Sequence, residues 1–264
     1  MTGDARWLAD MPEYYDRCLG PALFAPYASQ LAEIIAAQAP RTVLEVAAGT
    51  GILTAELMQA LPTARITATD LNAAMVTWAA RRVSGPDWQV ADAARLAFPD
   101  GYFDLVVCQF GVMFFPDKPA AFAEAGRVLR PDGHFVFTVW DSVDTSDFPA
   151  ALVAALAEVT PDDPPDFVVR IPHGYHDLGR IRQDVTAGGL TVQSIERLVL
   201  RGTAPSARVI AEGFSYGTPL RFALQQRGDV EALIDALAER MTRQLGHGPV
   251  ESELAGYVVT ARRP

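Results

Sequence analysis

The sequence predicts an α/β fold, doubly wound around a mostly parallel sheet covered on both faces. Two observations lead there. Short apolar runs of strand length alternate along the chain with segments of helical spacing. The run RTVLEVAAGTGILTAEL, Arg41 to Leu57, sets a buried strand, a glycine turn and an amphipathic helix in immediate succession. Val43, Leu44 and Val46 supply the strand, and Glu45 places a carboxylate near its carboxyl end. Gly49 and Gly51 free the backbone for positive φ and for close approach of a ligand. The helix that follows from Ile52 directs its unpaired N–H groups back at the turn, which favours an anionic group there.

The remaining elements follow in order. Glu13 to Leu19 and Ala22 to Ala37 read as two helices interrupted at Gly20-Pro21. Ile66 to Asp70 is a second strand, and Asp70 falls about 20 residues beyond the glycine turn, where a carboxylate can accept both hydroxyls of a ribose. Asn72 is a helix cap, with Met75, Val76 and Ala79 on one face of the next helix. Trp88 to Val90 is a short third strand and Phe103 to Cys108 a buried fourth, ending at Gln109-Phe110-Gly111. A helix around Pro119 to Leu129, the turn Arg130-Pro131-Asp132-Gly133 and the strand His134 to Trp140 follow. Beyond Trp140 the pattern changes. A helix at Ala150 to Val159 and an acidic proline-rich loop at Pro161 to Pro165 form a first insertion, about 141–176. A helix from Leu178 to Ala187 and an alternating run from Thr191 to Leu200 return to the sheet. A second insertion, about 203–250, has Thr218 as a cap, Pro219 at a first helical position and a helix from Val230 to Leu245. Ala255 to Ala261 reads as the last strand.

Residues 41–140 resemble the class I S-adenosylmethionine-dependent methyltransferases, whose first motif is an acidic residue followed by a G-x-G-x-G turn. Here it stands as Glu45-Val46-Ala47-Ala48-Gly49-Thr50-Gly51, with Ala47 at the first glycine position. A dinucleotide fingerprint, G-x-G-x-x-G, is disfavoured because Ile52 stands three positions after Gly49, where a small residue would be needed. The resemblance implies a Rossmann-like sheet of seven strands with the last antiparallel, and S-adenosylmethionine as cofactor with S-adenosylhomocysteine as product. It implies a cofactor site of Tyr15, Glu45, Ala47, Gly49, Thr50, Gly51, Asp70, Leu71, Met75, Asp92, Ala93 and Gln109, with Asp70 on the ribose and Asp92 and Ala93 at the adenine. Residues 1–40 are then an amino-terminal helical cap and 41–264 the methyltransferase domain with its two lid insertions.

Methyl transfer needs an in-line nucleophile and exclusion of water, so positioning can carry much of it. A base becomes useful when the acceptor must lose a proton, and His173 and His176, in IPHGYHDL, are the candidates. Tyr14, Tyr175, Phe214, Tyr216 and Arg221 are candidates for lining an acceptor pocket. Each has an ordinary alternative, a turn histidine bonded to backbone or an aromatic packed in a core. Acceptors reacting through oxygen, nitrogen or carbon are all compatible with these motifs. The alternative reading is a noncatalytic nucleoside-binding protein that retains the fold.

The formal net charge of −10, without a basic run, argues against a nucleic-acid partner. Cys108-Gln109-Phe110-Gly111 also lacks the N/D-P-P-Y/F pattern of base amino-methylation. The expected partner is a small-molecule acceptor. Two cysteines give no disulfide framework, and the four histidines form no zinc spacing, so no metal is expected. The absence of a long apolar stretch and of a leader pattern makes a cytoplasmic, membrane-free protein the expectation.

Overall fold

The computed structural model describes residue 8 and residues 10–264, which form two compact units. One unit comprises Ala28–Trp140, Tyr175–Leu198 and Gly256–Pro264. The other comprises the segment ending at Tyr27 together with Asp141–Gly174 and Val199–Ala255. The strands β1 (Thr42–Val46), β2 (Arg65–Asp70), β3 (Asp87–Val90), β4 (Phe103–Gln109), β5 (Leu129–Trp140), β6 (Thr191–Ala204) and β7 (Val250–Arg262) make one seven-stranded sheet in the order β3-β2-β1-β4-β5-β7-β6. The pairs β3/β2, β2/β1, β1/β4 and β4/β5 are parallel, and β7 runs antiparallel to β5.

All five residues of β1 are buried, as a central parallel strand covered on both faces requires. On one face Val43, Ile66, Leu105, Val107, Val136 and Val258 pack with residues of α2 (Ala25–Ala36) and α3 (Ile52–Ala60), among them Leu31, Ile35, Leu53 and Leu57. Each fully buried Leu or Ile side chain stabilises the fold by roughly 1.5–3 kcal/mol. On β5 the alternate residues Phe135 and Phe137 instead meet Phe122 of α5 (Lys118–Val128), with ring centroids 5.6 and 5.3 Å away. Helix α4 (Ala73–Arg82) is capped by Asn72, whose side chain accepts from Ala74 N. Helix α8 (Leu178–Ala187) is capped by Asp177, which accepts from Arg180 N.

Three departures from the expected elements concern prolines and a turn. The expected interruption at Gly20-Pro21 is absent. After α1 (Met11–Tyr14) the chain winds as a π-helix over Tyr15–Phe24 and continues into α2, with Ala25 N–H donating to Gly20 O. Pro21 lacks an N–H and its ring crowds the carbonyl four residues back, and a wider turn relieves that conflict without ending the helix. The turn Arg130–Gly133 lies inside β5 as an irregularity, since Phe103 pairs with Leu129 but Leu105 with His134, and Asp132 takes φ +64°. Pro219 caps α10 (Leu220–Gln225) rather than opening it, while the Thr218 hydroxyl accepts from Leu220 N at 3.3 Å.

The second unit is mainly helical, with α6 (Asp147–Val159), α7 (Phe167–Arg170), α9 (Ala207–Gly217), α10 and α11 (Val230–Leu245). Its buried residues include Leu19, Phe148, Leu152, Ile210, Leu224, Leu237 and Met241. Both cysteines are free and buried, Cys18 in this unit and Cys108 at the end of β4, and burial raises both thiols. Among the described residues no helix is long and apolar enough to cross a membrane, and no cluster of His, Cys, Asp and Glu is placed to hold a metal.

Asp104 ties the start of β1 to β4. Its Oδ2 accepts from Arg41 N, Thr42 N and the Thr42 hydroxyl, each at 2.9 Å, and its other oxygen meets the Arg130 guanidinium. Burial alone would raise this carboxyl, but the Thr42 and Arg41 donations and the Arg130 charge outweigh it and hold the pKa below the usual range. Asp104→Ala is therefore expected to cost roughly 2 kcal/mol in urea unfolding at neutral pH. A depressed folded pKa gives stability that is present above the unfolded value and lost as pH falls through the folded one. The gap between wild type and variant should accordingly close below about pH 4.

Candidate active site

The turn that leaves β1 is held by backbone and by two carboxylates of different character. Ala47, at φ +54°, and Gly49, at φ +57°, both take the left-handed conformation, as does Gly51 at φ +84°. Alanine accepts this geometry at a cost of roughly 1–2 kcal/mol, so the missing first glycine of the motif leaves the turn shape intact. Ala48 N donates to Thr69 O at 2.9 Å, which fastens the turn to the end of β2. A Cβ on Gly51 would stand 3.0 Å from the Trp88 ring, whereas one on Gly49 would meet nothing within 4 Å. Gly51 is thus a packing glycine, and Gly49 opens onto free space.

Asp70 ends β2, and its carboxylate is divided between two backbone donors, Gly49 N at 2.9 Å on Oδ2 and Asn72 N at 2.8 Å on Oδ1. Each oxygen keeps a further lone pair for a ligand hydroxyl. Burial raises the Asp70 carboxyl and these two donations oppose the rise. Glu45 is 1% exposed and faces inward, with the Thr54 hydroxyl of α3 donating to Oε2 at 2.6 Å. Burial, opposed by the Thr54 donation and aided by the charge of Asp70, pushes its carboxyl up to about 8. The motif acid is therefore a protonated strut inside the turn in the free protein.

The other residues expected at the cofactor fall into two groups. Leu71 is 48% exposed directly after Asp70, and Val90, at the paired end of β3, is 56% exposed. Asp92 is exposed, with its carboxylate accepting from Ala94 N at 2.9 Å, and Ala93 is half-buried beside it. Gln109 is half-buried at the end of β4, opposite Thr138. Met75 and Thr50 are buried instead, Met75 within α4 and Thr50 inside the turn. The Thr50 hydroxyl has no hydrogen-bond partner. An orphaned hydroxyl, the open space beside Gly49 and exposed apolar side chains next to Asp70 fit a nucleoside-bearing ligand.

The turn after β4 was less legible in sequence. Phe110 takes φ +50°, its N–H donates to the Thr138 hydroxyl at 2.9 Å, and its ring stacks on Trp140 at 3.6 Å between centroids. A Cβ on Gly111 would come within 2.6 Å of the Ala47 Cβ, so this turn and the glycine turn press directly on each other. No propensity argument places phenylalanine in the left-handed region. Thr54 was also missed, although a threonine on the inner face of α3 is a signal that the preceding strand carboxylate needs a donor.

Tyr175 is buried, its hydroxyl donating to Asp184 at 3.0 Å while Lys118 Nζ lies 4.7 Å from its ring centroid. His176 is exposed in the turn before α8. In the helical unit, His173 is 5% exposed with Nδ1 2.8 Å from Asp141 O, the bonding of a turn histidine. Phe214 is buried in α9, an aromatic of the helical core. Tyr14 and Tyr216 meet at 4.8 Å between centroids, with Arg17 over Tyr14 and Arg221 over Tyr216. Arg221 also pairs with Asp10 at 2.7 Å, and the Tyr216 hydroxyl donates to Glu231. Tyr15 stacks on Phe24 at 4.8 Å, and a Cβ on Gly217 would reach within 2.6 Å of its backbone N.

A protonated Glu45 has a consequence that urea unfolding can measure. Its folded pKa of about 8 lies above the ordinary 4.5 of a glutamate, so its contribution is fully present below the unfolded pKa and is lost as pH rises through the folded one. Ligand-free protein should lose stability at up to about 1.4 kcal/mol per pH unit across that window. Glu45→Gln, which keeps the shape without the titration, should flatten the decline.

Residues 44–137 match the family model of the methyltransferase domain. A demethylmenaquinone methyltransferase of Deinococcus radiodurans is 38% identical over 104 residues, covering 38% of this chain and 43% of the relative. A malonyl-(acyl-carrier protein) O-methyltransferase of Geobacter sulfurreducens is 37% identical over 123 residues, 46% of each chain. A ubiquinone/menaquinone biosynthesis C-methyltransferase of Cupriavidus metallidurans is 44% identical over 96 residues, 34% of this chain and 40% of the relative. The chain thus spans less than half the length of these curated relatives. Among solved structures, the YcgJ protein of Bacillus subtilis superposes with a TM-score of 0.56 at 19% identity, over 89% of this chain and 98% of that one. The cyclase SpnF superposes with a TM-score of 0.53 at 20% identity, over 89% and 80%. These two likenesses speak to the fold, and the matched segment holds the glycine turn, Asp70, Asp92 and Gln109. In that segment and in its strand order, the chain is similar to the class I S-adenosylmethionine-dependent methyltransferases.

Proposed function

We propose that this protein transfers a methyl group from S-adenosylmethionine to a small-molecule acceptor, mainly by positioning. The observation that carries the reading is the divided carboxylate of Asp70, which holds the Gly49 turn and retains acceptor capacity on both oxygens. When bound, S-adenosylmethionine supplies an electrophilic methyl on a sulfonium. On this chain, Asp70 would accept the ribose hydroxyls, while Leu71, Asp92 and Ala93 would take the adenine. Ala47, Gly49, Thr50, Gly51 and Gln109 would hold the remainder of the ligand by backbone and short side chains, with Glu45 and Met75 supporting them from beneath. The net charge of −10 supports a small molecule over a nucleic acid as acceptor. The relatives' names point to quinone precursors and to a carrier-bound malonyl group as acceptors of those proteins. A cytoplasmic setting is part of the proposal and is supported by the two free cysteines.

We assign acceptor selection to side chains outside the matched segment: Tyr14, Phe214, Tyr216 and Arg221 in the helical unit and Tyr175 before α8. His176, whose ring is exposed, is the stronger candidate for a base. His173, with one ring nitrogen on a backbone carbonyl, is the weaker.

Two measurements test the proposal. Calorimetry should show binding of S-adenosylmethionine and S-adenosylhomocysteine, and Asp70→Ala should weaken both about tenfold or more, since a hydrogen bond to a charged group is worth about 1.5–3 kcal/mol. Wild-type affinity in that variant rejects the ribose role. Once an acceptor is found, His176→Ala should slow turnover roughly a hundredfold if the ring removes a proton, with donor affinity and melting temperature held. Normal turnover excludes His176 as the base.

A further inference from the structure

Of the 22 basic residues, Lys118 is the only lysine, and it stands at the first position of α5. A cation in the first turn of a helix opposes the helix dipole. The backbone there is nevertheless firmly set, with Asp117 accepting from Ala120 N at 3.0 Å and Pro119 following. The half-buried side chain turns back onto the segment that precedes it. Its Nζ donates to Met113 O at 3.2 Å and Phe115 O at 3.0 Å, and lies over the Tyr175 ring. No carboxylate approaches Nζ within ion-pairing distance among the described residues. Asp184, which accepts from the Tyr175 hydroxyl and from Arg180 Nε, acts on it from beyond the ring. A compact ammonium can serve two convergent carbonyls and an aromatic face together, whereas a planar guanidinium presents its donors in a fixed fork.

The two carbonyls belong to the short helical turn Val112–Phe114 and the residue after it. That turn is closed by Phe114 N donating to Gly111 O at 3.0 Å, and Gly111 is the residue pressed against Ala47. A contiguous path therefore runs from α8 through Tyr175 and Lys118 to the turn after β4, and from there to the glycine turn. We propose that Lys118 is a positioning residue for the donor site, fixing the Val112–Phe115 segment so that Gln109 and Gly111 keep the shape the ligand needs, and transmitting the placement of α8 to it. The inference rests on the reading of Ala47–Gly51 and Gln109 as donor-binding.

The single lysine makes the test direct. Protein labelled with 13C at lysine Cε gives one lysine signal, which is expected to lie upfield of free lysine because of the Tyr175 ring and to move on saturation with S-adenosylhomocysteine. Lys118→Met should weaken S-adenosylhomocysteine binding about tenfold while the melting temperature falls by only a few degrees. Wild-type affinity in the variant, or a lysine signal that ignores saturating ligand, overturns the positioning role and leaves the donor assignment standing. If the variant does not fold, the labelled wild type decides alone. Failure of the wild-type protein to bind either S-adenosylhomocysteine or S-adenosylmethionine removes the donor reading and this inference with it.

Discussion

The β1–α3 turn depends on one carboxylate. It carries two residues in the left-handed conformation before Gly51, Ala47 and Gly49, and neither has a side chain able to hold it in place. Asp70 supplies the anchor from the neighbouring strand, taking Gly49 N–H with one oxygen and Asn72 N–H with the other. The same side chain thereby sets the start of α3 and of α4, whose cap is Asn72. A buried N–H left without an acceptor costs about 1–3 kcal/mol, so the turn and the beginnings of two helices share a single electrostatic support.

Glu45 shows how one site uses two acids differently. It lies on the adjacent strand, yet it is sealed from solvent, and among the described residues its carboxyl bonds only the hydroxyl of Thr54. The charge of Asp70 and the lack of water favour its neutral form. One acid is a half-buried anchor for two backbone N–H groups, and the other is a proton-holding brace within. A fold of this kind also accommodates other chemistry, as the superposition with a cyclase illustrates, so function has to be argued from such details at the site.

Local spacing made much of the sheet-based unit, and one helix of the other, readable. The strand, turn and helix at 41–57, the strand ending at Asp70, the Asn72 cap and the helices Leu178–Ala187 and Val230–Leu245 all follow from apolar periodicity and capping chemistry. What escaped was tertiary in origin. Gly20-Pro21 looks like a break because local rules price proline in an α-helix, and a π-helix relaxes those rules. Phe110 defies local preference because a stack on Trp140 and a bond to Thr138 outweigh its backbone cost. Spacing also did not announce the partners of His173 Nδ1 and of the Tyr175 hydroxyl, a backbone carbonyl and the Asp184 carboxylate. Helix α9 was masked in the sequence by its two glycines, which read as punctuation.

The distribution of the two cysteines has a use beyond the absence of a disulfide. Each compact unit contains a single thiol, Cys18 in the helical one and Cys108 in the sheet-based one, and both are kept protonated by burial. Only a thiolate that reaches solvent is alkylated, so modification of native protein has to wait for the surrounding structure to open. The natural sequence thus contains a pair of internal clocks: the rate at which each thiol reacts gives the opening free energy of its own unit, without introducing any label.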